Sequence, residues 1–166
     1  SARKKEVETY ISEVKLKSER DRQTEKKITG VFTGAYVKHP FTAKKVEVWI
    51  ADYVLANYGT GAVMAVPCGD QRDWDFANHF NIKIINIFQD VDISLSAHEE
   101  KKGVIINSSF LNNLEVDKAA VVAIDNIEKS GLGKRKINYR LRDAVFSRQR
   151  YWGEPFPVYY KEDIPY

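Results

Sequence analysis

Residues 59–77 read GTGAVMAVPCGDQRDWDFA, and this junction organises the rest of the chain. The run from Ala62 to Val66 is apolar and partly β-branched, which predicts a strand that stops at Pro67. Cys68 and Gly69 supply a turn. Asp70 then offers a short carboxylate at an N-cap position, and Asp73 follows three residues later at N3. The next residues, DQRDWDFANHF, predict a short helix. A helix start exposes unpaired N–H groups and partial positive charge, so both carboxylates suit it as caps. A second reading is open: one carboxylate caps while the other faces a pocket above the strand end and pairs with a ligand ammonium group. Arg72, between them, either meets a phosphate or balances the carboxylates.

Further regular segments lie on both sides. Residues 3–22 predict a helix, with Val7, Tyr10, Ile11 and Val14 at i, i+3, i+4, i+7 spacing. GVFTGAYV and VEVWI predict strands separated by a turn at His39-Pro40. IKIINIF and GVIINS predict two more, with the polar loop QDVDISLSAHEEKK between them. Val116, Ala120, Ala123, Ile124 and Ile127 form the apolar stripe of a further helix, which Lys129 and Gly131 close. The chain ends in the aromatic, proline-containing run YWGEPFPVYY. The strands do not alternate regularly with the helices. The predicted class is therefore α+β, a barrel-like mixed β-sheet with peripheral helices.

Composition narrows the chemistry. At 166 residues the chain is one domain or a piece of a larger protein. Its start, SARKKEVETY, has neither an initiator Met nor an apolar signal region and reads as a boundary inside a longer chain. No apolar run reaches membrane-spanning length. A single cysteine, Cys68, excludes an internal disulfide and a cysteine-based zinc site, fits a reducing cytoplasm and reads as a packed thiol. His39, His79 and His98 lack ligand spacing, so no metal is expected. Neither a nucleophile elbow nor a P-loop is present, and GTGAV lacks the third glycine of a dinucleotide fingerprint. The net charge of +3 is unevenly laid out. Residues 31–132 carry 9 basic and 13 acidic side chains, whereas residues 133–150 carry 7 basic and 1 acidic. That basic segment suggests a polyanion or a neighbouring domain as partner, or else a solvated strand face.

TGAYVKHPFTAKKVEVWIADYVLANYGTGAVMAVPCGDQRDWDFA resembles the editing domain of the leucyl-tRNA synthetase family, whose pattern runs TG-x-Y, then PVWIADYVL, then YGTGAVMAVP and HDQRD. SRQRYWGEPFPVYY is similar to the segment where that insertion rejoins the class I synthetase body. The resemblance covers roughly residues 28–160. It implies a barrel-like core with helices around it and hydrolysis of wrongly charged aminoacyl-tRNA(Leu), carrying isoleucine, methionine or norvaline, at the terminal adenosine. It implies no metal or covalent intermediate in the domain itself, with ATP used only by the parent ligase. By the same resemblance Asp73 is the catalytic-site aspartate that holds the substrate α-ammonium. Met64 and Val66 line the amino-acid and adenosine pockets, with ordinary core packing as the alternative. Tyr58 lies near the terminal nucleotide, and Gly69, Asp70 and Arg72 flank the site. The implied partners are the tRNA(Leu) acceptor end and the rest of the synthetase, in the cytoplasm and without a membrane. The implied layout is an N-terminal helical segment over 1–27, an editing core over 28–132 and a rejoining segment over 133–166.

Two departures from the family pattern bear on activity. The residue before DQRD is usually a histidine that helps wall the side-chain pocket; here it is Gly69. A threonine-rich segment that the family carries upstream of TG-x-Y, screening out leucine and supporting the attacking water, has no counterpart among these residues, and the HIGH and KMSKS motifs are absent. The expectation is weak or no hydrolysis by these residues alone, and no leucine activation. A competing function is a non-hydrolytic module that grips the tRNA acceptor end through Lys134, Arg135, Lys136, Arg140 and Arg142, although the same cations suit acidic groups on the synthetase body. A third is a protein-interaction domain using the aromatic residues of 151–166, among them Tyr151, Trp152, Phe156 and Tyr160.

Overall fold

The structure, a computed structural model, describes residues 3–16, 27–54, 61–137, 160–161 and 164–165. The chain divides into two units, Ser1–Lys134 and Arg135–Tyr166. In the first unit the elements run α1 (Lys4–Lys15), β1 (Gly30–Lys38), β2 (Lys45–Ala51), α2 (Gln71–His79), a 3-10 turn (Ser109–Leu111) and α3 (Val116–Lys129). The second unit contains the short strands β3 (Tyr160–Lys161) and β4 (Ile164–Pro165), paired antiparallel.

Strands β1 and β2 form an antiparallel hairpin whose register runs from Gly30 opposite Ala51 to Lys38 opposite Lys45. A register shift between Phe32 and Tyr36 marks a bulge. Gly34 occupies the left-handed region there (φ 75°), a conformation that costs a glycine little. The Thr33 hydroxyl donates to Val48 O at 2.7 Å and accepts from Ala35 N at 3.1 Å, so the bulge keeps its polar groups paired. The bulge explains why the alternation in GVFTGAYV is loose. At the hairpin turn His39 N donates to Lys44 O and Ala43 N to His39 O.

Helix α1 packs on β1 through the predicted stripe of Val7, Tyr10, Ile11 and Val14, all half-buried. It is stapled by the Tyr10 hydroxyl, which lies 2.9 Å from Thr29 Oγ1 and accepts from Asp52 N at 3.0 Å. The helix ends at Lys15, short of the predicted residue 22; residues 17–26 lie outside those described.

Helix α2 follows the sequence reading closely. Asp70 is in extended conformation and its Oδ1 accepts from the amides of Arg72 (3.0 Å) and Asp73 (3.1 Å). Phe76 and Ala77 are buried on its inner face. Replacing Asp70 by alanine should cost about 0.5–2 kcal/mol, read as a lower urea midpoint at unchanged slope.

Three strand expectations are corrected. Residues 62–66 form no strand: Val63, Met64 and Val66 are exposed, and Val66 spends its amide on the Asp73 carboxylate and its carbonyl on the turn amides of Gly69 and Asp70. IKIINIF and GVIINS form no ladders either, only the isolated antiparallel bridges Phe88–Ile105 and Val104–Glu115. Left-handed residues at Asn81, Asp90, Lys101, Asn107, Ser109 and Asn113 turn the chain before pairing extends. Among the described residues the sheets are two-stranded and antiparallel, so the α+β class holds while a barrel-like mixed sheet does not form from them.

What these apolar runs do build is a small core of Cys68, Phe88, Ile105 and Ala119, surrounded by Ile84, Ile87, Val91, Ile93, Leu111, Leu114 and Val116. In α3 the buried position is Ala119, while Ala120 and Ile124 of the predicted stripe are exposed and Val116, Ala123 and Ile127 half-buried. The helix closes as predicted. Gly131 is left-handed (φ 67°), and Leu132 N donates to Ile127 O and Gly131 N to Glu128 O, the paired bonds of a Schellman cap.

Candidate functional site

The junction at 61–73 folds into a knot centred on the Asp73 carboxylate. Oδ1 accepts from the Tyr53 hydroxyl at 2.7 Å and Oδ2 from Val66 N at 2.6 Å. The carboxylate therefore does not reach back to the Asp70 amide, as a reciprocal capping box would require. Asp70 N instead donates to Val66 O at 3.0 Å. An aspartate side chain, one methylene shorter than glutamate, turns outward from N3 and ties the preceding segment to the end of β2.

Tyr53 is the residue that local sequence spacing did not single out. Its phenol is held well above its ordinary value near 10, first by burial, then by the hydrogen bond to Asp73 and the negative charges of Asp73 and Asp70. The phenol thus remains a proton donor to Asp73 at neutral pH. Because the folded-state value is raised, this contribution to stability is complete below about pH 10 and is lost as pH rises further. Tyr53→Phe should cost about 1.5–3 kcal/mol, the range for a hydrogen bond to a charged group. It should also flatten the alkaline fall in stability, measured by denaturation at pH 8 to 11.

Around Asp73 the predicted residues are arranged as follows. Met64 and Val66 stand exposed on the segment leading to the knot, at 58% and 44% of full accessibility, so neither is ordinary core. Arg72 and Asp70 are exposed at the start of α2. Gly69 is half-buried, and a Cβ there would meet Phe88 and Val66 at 3.6 Å, an ordinary contact distance. Neither the backbone nor the space at residue 69 requires glycine, so the position accepts a side chain. Cys68 is buried, and burial pushes its thiol up rather than activating it. Tyr58, Arg140 and Arg142 lie outside the described residues, as do Tyr151, Trp152 and Phe156. Lys134, Arg135 and Lys136 are exposed.

The polar loop after α2 is tied to this site more firmly than its composition suggested. The Gln71 side chain accepts from Ala97 N at 2.9 Å and donates to Asp75 Oδ1 at 2.8 Å, while the Gln71 backbone N–H donates to Glu99 Oε1 at 3.2 Å. Trp74 Nε1 donates to Ile93 O at 2.9 Å. His98 N donates to Cys68 O at 2.9 Å, and its ring packs edge-on to Phe88. The first turn of α2 is thereby held from both sides. Among the described residues no group of His, Cys, Asp and Glu can hold a metal ion, and no helix is long and apolar enough to cross a membrane.

A family model described as "Leucyl-tRNA synthetase, editing domain" matches residues 1–128. The chain belongs to the leucyl-tRNA synthetase editing-domain family. Relatives of this editing-domain chain are named as leucine–tRNA ligases. One from Christiangramia forsetii is 61% identical over 165 residues, 98% of this chain and 17% of its own length. One from Azobacteroides pseudotrichonymphae is 53% identical over 166 residues, 100% of this chain and 18% of its own length. One from Bacteroides thetaiotaomicron is 46% identical over 175 residues, 99% and 18% respectively. The chain thus spans under a fifth of the length of these relatives. The matched residues include the Asp73 knot.

Proposed function

We propose that this chain is the editing domain of a leucine–tRNA ligase and that it takes part in hydrolysing tRNA(Leu) mischarged with isoleucine, methionine or norvaline. The observation that carries this reading is the carboxylate of Asp73, fixed by the Tyr53 hydroxyl and the Val66 amide, together with the exposed side chains of Met64 and Val66 on the segment it holds. A carboxylate has about four lone-pair positions, and the two internal donors leave room for a substrate ammonium. Tyr53 and Val66 orient the carboxylate before substrate arrives, which lowers the cost of binding. Met64 and Val66 offer apolar contact to the amino-acid side chain and the terminal adenosine. Arg72, Asp70 and Gly69 shape the entrance.

The reaction is attack of a water oxygen on the ester carbonyl carbon. A C–O bond forms to water and the C–O bond to the ribose oxygen breaks. The ribose oxygen leaves with a proton that originates on the water, giving the free amino acid and the tRNA 3′ end. Neither metal nor cofactor enters, and ATP belongs to the aminoacylation reaction of the parent ligase in the cytoplasm. Asp73 contributes binding and orientation of the amino acid; the water and the developing oxyanion need further donors. These residues contain no threonine-rich segment to supply them, so the isolated chain should hydrolyse slowly or not at all. In this reading 1–27 lead into the editing core at 28–132, and 133–166 rejoin the synthetase body.

The test compares deacylation of isoleucyl-tRNA(Leu) by this chain and by the intact ligase that carries it. Hydrolysis by the intact ligase, with little by the chain, is the expected result. Absence of hydrolysis in both, with tRNA binding retained, would favour the non-hydrolytic acceptor-end module instead.

A further inference from the structure

The turn joining β1 to β2 carries a charge arrangement that folding alone does not call for. Lys38 and Lys45 are direct register partners across the antiparallel pair, and Lys44 adjoins them. All three are exposed, and none carries an ion pair among the described residues. Directly opposed like charges sit about 4.5–5.5 Å apart at Cβ and destabilise a strand pair. The acid next along β2, Glu47, is engaged by the Trp49 indole N–H at 2.8 Å.

The turn that presents these lysines is well built. His39 Nδ1 accepts from the amides of Phe41 (3.2 Å) and Thr42 (3.3 Å), and Lys44 O accepts from His39 N at 2.8 Å. The Phe41 ring packs edge-on against Phe110 of the 3-10 turn, centroids 5.1 Å apart. Tyr36, two residues before Lys38 on the same strand face, is 51% exposed. Clustered unpaired lysines with a neighbouring exposed aromatic ring, held on an ordered turn, match a phosphate backbone better than an acidic peptide, which would leave the aromatic face unused.

We infer that the β1–β2 turn, through Lys38, Lys44 and Lys45, is a phosphate-contact surface for tRNA. The choice of tRNA rests on the function proposed above; the affinity for a polyphosphate backbone does not. Each lysine that neutralises a phosphate contributes about one unit to the log–log dependence of affinity on salt.

The experiment uses the intact ligase and fluorescently labelled, uncharged tRNA(Leu), with anisotropy titrations from low to moderate salt. The triple variant K38Q/K44Q/K45Q should bind more weakly at low salt, and its salt slope should be shallower by about two to three. Unchanged affinity and slope would overturn the inference, as would an unchanged slope accompanied by new self-association, which would assign the lysines to guarding a strand edge. Deacylation of isoleucyl-tRNA(Leu) by the wild-type ligase is measured in parallel. Loss of the slope difference with editing intact removes only this surface, whereas absent editing with the slope difference intact removes only the hydrolytic reading.

Discussion

Replacing Asp73 by asparagine is expected to cut editing by the intact ligase by more than an order of magnitude while leaving the domain folded. The isosteric amide keeps one acceptor oxygen for Val66 N, and its NH2 meets the Tyr53 hydroxyl, which can rotate to accept instead of donate. The local contacts therefore survive and only the negative charge is lost. An ammonium that loses its carboxylate partner in a partly desolvated site costs about 2–5 kcal/mol, so kcat/KM for deacylation should fall roughly thirty- to several-thousand-fold. Asp73→Ala should lose editing equally but also strip an acceptor from both Val66 N and Tyr53, at a further cost of about 1–3 kcal/mol in stability. Two hydrogen bonds converge on this carboxylate, so alanine at residue 73 perturbs the fold as well as the site. Deacylation kinetics together with urea denaturation of both variants check it. Full editing by Asp73→Asn would remove the aspartate from substrate binding and leave it as a tie between β2 and α2.

The contrast between what was legible and what was not follows the range of the forces involved. Helix α2 was readable because its cap is local: Asp70 bonds amides two and three residues away. The closure of α3 at Gly131 was readable for the same reason. Residues 62–66 have strand composition but form no strand, because β-propensity becomes a strand only where a partner offers its backbone groups. Here the Val66 amide is captured by a carboxylate seven residues ahead. IKIINIF and GVIINS carry strand composition, yet the left-handed residues between them limit pairing to single bridges. The site showed the same division. The place of Asp73 at N3 of α2 was legible from its spacing to the Asp70 cap. Its partner Tyr53 lies 20 residues earlier, and no local spacing announces that contact.

Truncating Phe76 to alanine should have the largest effect on stability of any single change in the described residues. Phe76 is 7% exposed and faces three rings, with centroids at 4.6 Å (Phe80), 5.5 Å (Tyr53) and 5.6 Å (Trp49). Its ring also fills the space above Gly30, where a Cβ would come within 2.6 Å of Cε2. The ring therefore joins α2 to both strands of the hairpin at once. Phenylalanine-to-alanine changes in cores cost about 3–5 kcal/mol. Against a typical total of about 5–15 kcal/mol that is a large share, and the buried apolar set here is small. Urea denaturation should show a strongly lowered midpoint, and editing by the intact ligase should fall with it, because Tyr53 and Asp73 lose the packing that brings them to 2.7 Å. Phe76→Leu, which keeps apolar volume but not ring contacts, should recover part of both. Asp73→Asn and Phe76→Leu then pull the two properties apart. The first is expected to lose chemistry with a stability loss of only about 1 kcal/mol, the difference between a charged and a neutral hydrogen bond, and the second to lose stability with chemistry restored at low temperature. If Phe76→Leu instead stayed inactive while fully folded, the ring itself would have to touch the substrate, and the boundary between core and pocket would lie on the inner face of α2.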